Sequence, residues 1–169
     1  QLQAILRAAA DVSDLRIMFP MISSLDEFRE AKNTVHDCLT NLKNKKYPHN
    51  ENPLIGAMIE VPSVLAIIDD LAAEADFLSI GTNDFVQYML GVDRSNKRVA
   101  DYYRPEHPSV LRALQRMVGH GVLRLLPEMG EHGQEARMLA RAGGMRLAGR
   151  PAGQEQKPRR VPVLRHRAA

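Results

Sequence analysis

Apolar residues along this chain follow two rhythms. Leu2, Ile5, Leu6 and Ala9 recur at helical spacing. Leu15–Phe19 is instead a short apolar run stopped by Pro20, the pattern of a strand buried on both faces. Ser24 and Glu27 form an S-x-x-E capping pattern, and Phe28, Ala31, Val35, Leu39 and Leu42 then mark one face of a helix from about Leu25 to Lys43. The polar loop Asn44–Pro53, with two prolines, leads to a second strand, Leu54–Val61. Pro62 suits the first turn of a helix that carries Leu65, Ile68, Leu71 and Ala75 inward. Asp76–Ile80 is a third strand. Gly81-Thr82-Asn83-Asp84 leads from it into a short helical stretch around Phe85–Leu90. Pro108 opens a last helix with Val110, Leu111, Leu114, Met117 and Val118 on its buried side.

Strands that alternate with helices predict an α/β fold, a parallel sheet with helices outside it. No apolar run approaches the roughly 20 residues that cross a bilayer, and no signal pattern opens the chain. It begins Gln-Leu-Gln, which predicts a piece of something longer. A single cysteine, Cys38, excludes an internal disulfide framework and fits a reducing cytoplasm. Its place in the middle of the Leu25–Lys43 helix, beside Leu39, predicts a buried and inert thiol. Charge divides the chain. Residues 1–118 hold 13 Lys and Arg against 16 Asp and Glu, whereas residues 119–169 hold 10 against 4. That second part lacks Asp, Ser, Thr, Asn, Ile, Phe, Tyr and Cys and is rich in Gly, Ala, Arg, Leu and Pro. It reads as a divergent basic tail, poorly ordered or frameshifted, with Val122–Leu126 as one strand candidate and Glu135–Ala142 as a helix turn or two. With no aromatic side chain to stack on bases, it does not predict a nucleic-acid interface.

In parallel α/β folds, ligands meet the C-terminal ends of the strands. Glu60 closes one predicted strand and Asp84 stands just beyond another. Two such carboxylates suit a hard cation such as Mg²⁺, which takes one or two protein carboxylates and fills its shell with water and substrate oxygens. Gly81 lets the backbone approach a ligand, Asn83 offers an amide, and Arg94 presents a planar fork for phosphate or carboxylate. Together these residues describe a site for a small phosphorylated acid. The residue types also fit plainer roles: Glu60 as a surface group, Asp84 as a helix cap, Asn83 as a turn former and Arg94 as half of a surface ion pair.

The segments Leu15-Arg16-Ile17-Met18-Phe19-Pro20-Met21, Gly56-Ala57-Met58-Ile59-Glu60-Val61-Pro62 and Ser79-Ile80-Gly81-Thr82-Asn83-Asp84-Phe85-Val86-Gln87-Tyr88 resemble the PEP-binding barrel of phosphoenolpyruvate-utilising enzymes. Val92-Asp93-Arg94-Ser95-Asn96 is similar to the phosphoenolpyruvate–protein phosphotransferase family, enzyme I of the bacterial sugar phosphotransferase system. The stretch from Arg98 to Leu111 leans towards its nitrogen-related variant. The resemblance covers residues 1–118. It implies a partial (β/α)₈ TIM barrel, since a closed one takes about 250 residues. It implies that Glu60 and Asp84 bind Mg²⁺ and that Asn83 and Arg94 hold the phosphate of phosphoenolpyruvate. The phosphoryl group would pass to a histidine on a separate domain and then to a small phosphocarrier protein, within a cytoplasmic homodimer. Fragments of pyruvate phosphate dikinase or phosphoenolpyruvate synthase are the nearest alternatives, and a non-catalytic remnant is another. The family's phosphohistidine motif, its early barrel arginines and the cysteine of its Cys-Gly-Glu motif are not found. The last of these positions reads Met129-Gly130-Glu131-His132, so no catalytic residue is expected in this chain.

Overall fold

The structure, a computed structural model, describes the backbone of residues 1–119 and side chains as far as Met117. The expected strand at Val122–Leu126, the helix turns at Glu135–Ala142 and the buried place of Val118 lie outside the described residues.

The described elements are α1 (Leu2–Ala8), β1 (Arg16–Phe19), α2 (Leu25–Asn44), β2 (Leu54–Ile59), a 3₁₀ turn (Pro62–Ala66), α3 (Ile68–Glu74), β3 (Phe77–Ile80), α4 (Thr82–Leu90), a second 3₁₀ turn (Ala100–Tyr102) and α5 (Pro108–Gly119). The three strands form one parallel sheet in the order β1-β2-β3. Ile17 lies opposite Ile55 and Phe19 opposite Ala57, while Gly56 faces Phe77 and Ile59 faces Ile80. The expected mixed α/β architecture with parallel strands is therefore present. Among the described residues no helix is long and apolar enough to cross a membrane.

The core gathers Ile17, Ile55, Ala57, Ile59 and Leu78 from the sheet with Leu6, Phe28, Val35, Leu42, Leu71, Phe85, Val110 and Met117 from the helices. Each fully buried large side chain among these contributes about 1.5–3 kcal/mol. Gly56 sits in the middle of β2 for reasons of space. A Cβ there would lie 2.5 Å from the Phe77 carbonyl oxygen and 2.6 Å from its ring.

Helix α2 starts where the capping pattern places it. The Ser24 hydroxyl accepts from the Glu27 N–H at 3.2 Å, and the Glu27 carboxylate accepts from the Ser23 N–H at 2.8 Å. The reciprocal bond thus reaches one residue further back than in the usual capping box. At the other end the Lys46 N–H donates to Lys43 and the Tyr47 N–H to Leu42, a Schellman closure. Lys46 has φ 55° there, where glycine is the usual residue. Arg29 of α2 clasps Glu74 at the end of α3, Nη2 to Oε1 at 2.6 Å and Nε to Oε1 at 3.0 Å.

Helix α1 buries Leu6, while Ile5, one residue and so about 100° round the helix from it, is 38% exposed. Two expectations need correction. The segment after Pro62 is not one helix. It forms a 3₁₀ turn that buries Val64, and α3 begins only after Ile67, whose φ of −122° lies outside the helical range. Successive β-branched residues, Ile67 and Ile68, weaken helical continuity at that point. Cys38 is half-buried rather than buried, packed at the margin of the core.

Candidate functional site

The parallel strands all end at one edge of the sheet, so the residues that follow them converge. Glu60 directly follows β2, Met21 lies two residues past β1, and Gly81 directly follows β3. Gly81 continues the ladder, its N–H donating to Ile59 at 3.0 Å. Its carbonyl then accepts from the Phe85 N–H at 2.9 Å, which starts α4. Helix α4 therefore begins earlier than the apolar pattern predicts. Asn83 and Asp84 belong to its first turn rather than to the loop before it. An acidic side chain is favoured at that positive end of a helix.

Glu60 is buried, 3% exposed. Its Oε1 accepts a hydrogen bond of 2.6 Å from the Met21 N–H. Burial pushes the Glu60 carboxyl above the ordinary range. The Met21 N–H opposes this by favouring the charged form, and the nearby Asp84 charge adds to the upward shift. The other oxygen, Oε2, faces Gly81, where a Cβ would lie 2.5 Å from it. Here the glycine makes room for a carboxylate of its own chain.

Asp84 and Arg94 form an ion pair, Oδ1 to Nη2 at 3.5 Å, with both side chains partly exposed. Arg94 is carried by the segment after α4, whose turns are closely bonded. The helix ends at Gly91 with φ 63°, and the Val92 N–H donates to Gln87 at 2.9 Å. The Gln87 side-chain oxygen accepts from the Arg94 N–H at 3.2 Å. Asp93 accepts from both the N–H and the hydroxyl of Ser95, which hold its carboxyl below the ordinary range. The Tyr103 hydroxyl lies 3.4 Å from both the carbonyl and the side-chain oxygen of Asn83.

All four residues singled out from the sequence thus lie on neighbouring connections at one sheet edge. Glu60 follows β2, Asn83 and Asp84 open α4, and Arg94 pairs with Asp84. The ion pair expected of Arg94 in its plainer role is present, with Asp84 as the partner. Sequence reasoning did not find Met21, Gln87 or Tyr103. Met21 acts through its backbone, and nothing in a Pro-Met pair announces a left-handed residue. Gln87 and Tyr103 act through contacts made by the segment between α4 and α5, which has no periodicity to read.

Whether the site suits a metal turns on its donors. Glu60 and Asp84 supply carboxylate oxygens, the ligands of a hard cation, and lie near enough for the Asp84 charge to act on Glu60. Among the described residues no group of three or more His, Cys, Asp or Glu side chains could enclose an ion. The set therefore fits a cation such as Mg²⁺ that takes few protein ligands and keeps other oxygens, and not a closed protein cage.

Fold and side chains together define an α/β protein with a polar cluster at the C-terminal edge of a parallel sheet. The sequence matches the family described as PEP-utilising enzyme, PEP-binding domain, over residues 1–144, and the chain belongs to that family. It is 43% identical over 118 residues to a phosphoenolpyruvate-protein phosphotransferase of Staphylococcus aureus, covering 70% of this chain and 20% of the relative. It is 42% identical over 149 residues to multiphosphoryl transfer protein 1 of Escherichia coli, covering 87% of this chain and 18% of that protein. The chain thus spans about a fifth of the length of these curated relatives. The family match runs past residue 118, where the resemblance noted from the sequence stops.

Proposed function

We propose that this chain is part of a (β/α)₈ PEP-binding barrel of a phosphoenolpyruvate–protein phosphotransferase. In this reading it holds Mg²⁺ through Glu60 and Asp84 and the phosphate of phosphoenolpyruvate through Asn83 and Arg94. The observation that carries the reading is the convergence of these residues at one sheet edge in a chain of the PEP-binding family. A bound Mg²⁺ would supply positive charge to the phosphate and carboxylate oxygens of the substrate.

The chain's own residues account for the rest. Asp84 and Glu60 repel each other, which is part of why the Glu60 carboxyl is held above its ordinary range, and a bound cation would offset that repulsion. Arg94, already turned towards Asp84, can bring its planar fork to a phosphate and take up charge that develops as the phosphoryl group departs. Asn83, in the first turn of α4, offers amide hydrogens to the same oxygens. The phosphoryl group then passes to a histidine on another domain and onward to a phosphocarrier protein, in a cytoplasmic homodimer.

Calorimetry of phosphoenolpyruvate binding to the 169-residue chain, with and without Mg²⁺ and beside Asp84→Ala, tests this. Binding that requires Mg²⁺ and disappears in the variant is expected. A folded chain whose affinity is indifferent to both Mg²⁺ and Asp84 would overturn the assignment.

A further inference from the structure

Helix α4 grips Arg94 at two points. The Arg94 guanidinium pairs with Asp84, Nη2 to Oδ1 at 3.5 Å. The Arg94 N–H donates to the side-chain oxygen of Gln87 at 3.2 Å. Asp84 and Gln87 are three residues apart in one helix, so they share a face, with Gln87 about 4.5 Å further along the axis. The arginine therefore runs back along that face. Its backbone is held at Gln87, and its charge stands beside the first turn, to which Asn83 also belongs.

Gln87 contributes two acceptors. Its main-chain carbonyl takes the Val92 N–H at 2.9 Å, which closes the helix over Gly91. Any residue at that position could supply this bond. Its side-chain carbonyl takes the N–H two residues further on, that of Arg94, and this bond needs a side chain with an acceptor at that reach. We propose that Gln87 is a positioning residue for Arg94, setting where the guanidinium stands relative to the first turn of α4 and so to a bound phosphate. This rests on the phosphoenolpyruvate reading given above and adds to it the residue that orients the arginine. Without the bond, the segment after Gly91 keeps its own turns, such as that of Asp93 and Ser95, but the side chain of α4 no longer fixes the Arg94 backbone. The ordering must then be met when the anion binds, and affinity falls.

The test is a double-mutant cycle on the 169-residue chain. Calorimetry of phosphoenolpyruvate binding with Mg²⁺ compares the wild type, Gln87→Leu, Arg94→Ala and the double variant. Leucine fills similar space without an acceptor. Arg94→Ala removes the guanidinium but keeps the N–H, so the cycle isolates what Gln87 does through the arginine's charge. Gln87→Leu is expected to weaken binding about fivefold, the worth of one net hydrogen bond, and to have no further effect once Arg94 is alanine. An equal loss in both backgrounds means a merely structural glutamine and overturns the proposal, as does no loss in either. If Gln87→Leu does not fold, Gln87→Ala takes its place. A second measurement needs no ligand. In chain labelled with ¹⁵N-arginine, the Arg94 amide is assigned by its disappearance in Arg94→Ala. Its order parameter is expected to fall in Gln87→Leu and to be restored in Gln87→Glu, which keeps an acceptor at the same reach. An order parameter unchanged in Gln87→Leu overturns the proposal. Failure of the underlying reading looks different. If the wild type binds no phosphoenolpyruvate, or Arg94→Ala binds it as well as the wild type does, then Arg94 is not the phosphate group. The proposal falls with that reading, whatever the order of the amide.

Discussion

Replacing Gly81 with alanine tests how tightly the site is built. Gly81 has φ −86° and ψ 80°, a conformation with negative φ that does not demand glycine. The demand is for space. An alanine Cβ would lie 2.5 Å from Glu60 Oε2, 2.9 Å from Met58 Sδ and 3.0 Å from Glu60 Cβ, where ordinary contact begins at 3.4 Å. The carboxylate must therefore retreat by roughly 0.9 Å. It is not free to do so, because Oε1 is held at 2.6 Å by the Met21 N–H and the side chain is buried. A retreat of that size stretches the bond past useful hydrogen-bond length. Losing a hydrogen bond to a charged group costs about 1.5–3 kcal/mol, and overpacking costs about 1–3 kcal/mol. The two describe one displacement and overlap, so the expected loss of stability by urea denaturation is about 2–3 kcal/mol. Calorimetry with Mg²⁺ and phosphoenolpyruvate reads the same displacement as at least a tenfold loss of affinity, about 1.4 kcal/mol. Gly91→Ala is the control for stability alone. It sits at φ 63° with nothing within 4 Å, so it strains the backbone without touching Glu60. It is expected to cost about 1 kcal/mol of stability. The reasoning fails if Gly81→Ala keeps wild-type affinity, or if its stability changes by less than about 0.5 kcal/mol.

Gly56→Ala places a Cβ 2.5 Å from a backbone oxygen of the neighbouring strand, which cannot swing aside like a side chain. A loss of about 3 kcal/mol in urea denaturation is expected, and a near-neutral result would mean that β2 and β3 separate easily. Lys46→Gly removes a left-handed lysine from the exposed end of α2 and is expected to raise stability by about 0.5–1 kcal/mol in thermal unfolding, with lower stability as the contrary result. The Arg29 guanidinium holds the Glu74 carboxyl below the usual carboxylate range. Its stabilisation is therefore complete above the unfolded value near 4.5 and is lost as pH falls through the lowered folded value. Glu74→Gln is expected to cost about 0.5–1 kcal/mol at neutral pH, the exposure of Arg29 being discounted, and to converge with the wild type in acid. A difference that persists unchanged below pH 3 would point to packing rather than charge.

The strands were legible because each is an apolar run with a clear stop. Pro20 ends the first, Glu60 and Pro62 the second, Gly81 the third. Their lengths were less so. Val61 looks like strand by composition, but β2 stops at Ile59, where the pairing with Ile80 runs out. Pro62 correctly marks a helical start, yet proline alone could not say that only a 3₁₀ turn would follow before α3. In the site, residue types at strand ends pointed to Glu60, Asn83, Asp84 and Arg94 because these side chains have few reasons to interrupt an apolar pattern. The geometry that orients them was not legible. It resides in a backbone N–H at Met21 and in the space left by Gly81. The first has no residue-type signature, and the second reads equally as room for a ligand.

The site's two halves are built on different supports. Glu60 is fixed by three successive strand connections. It follows β2, is bonded by the connection after β1, and lies against the glycine that ends β3. Any change of strand spacing moves it, so its position is a property of the sheet. Arg94 depends on the local bonds of the segment after α4: the Gly91 turn, the Gln87 side chain and the Asp93–Ser95 turn. These are short-range and largely exposed, and exposed backbone bonds open at lower free energy than sheet ladders do. The buried carboxylate is thus set when the strands pair, whereas the arginine can shift without disturbing them. In the proposed phosphoenolpyruvate-binding role, this division would set a carboxylate fixed by the sheet against a cation carried on a turn held by local bonds.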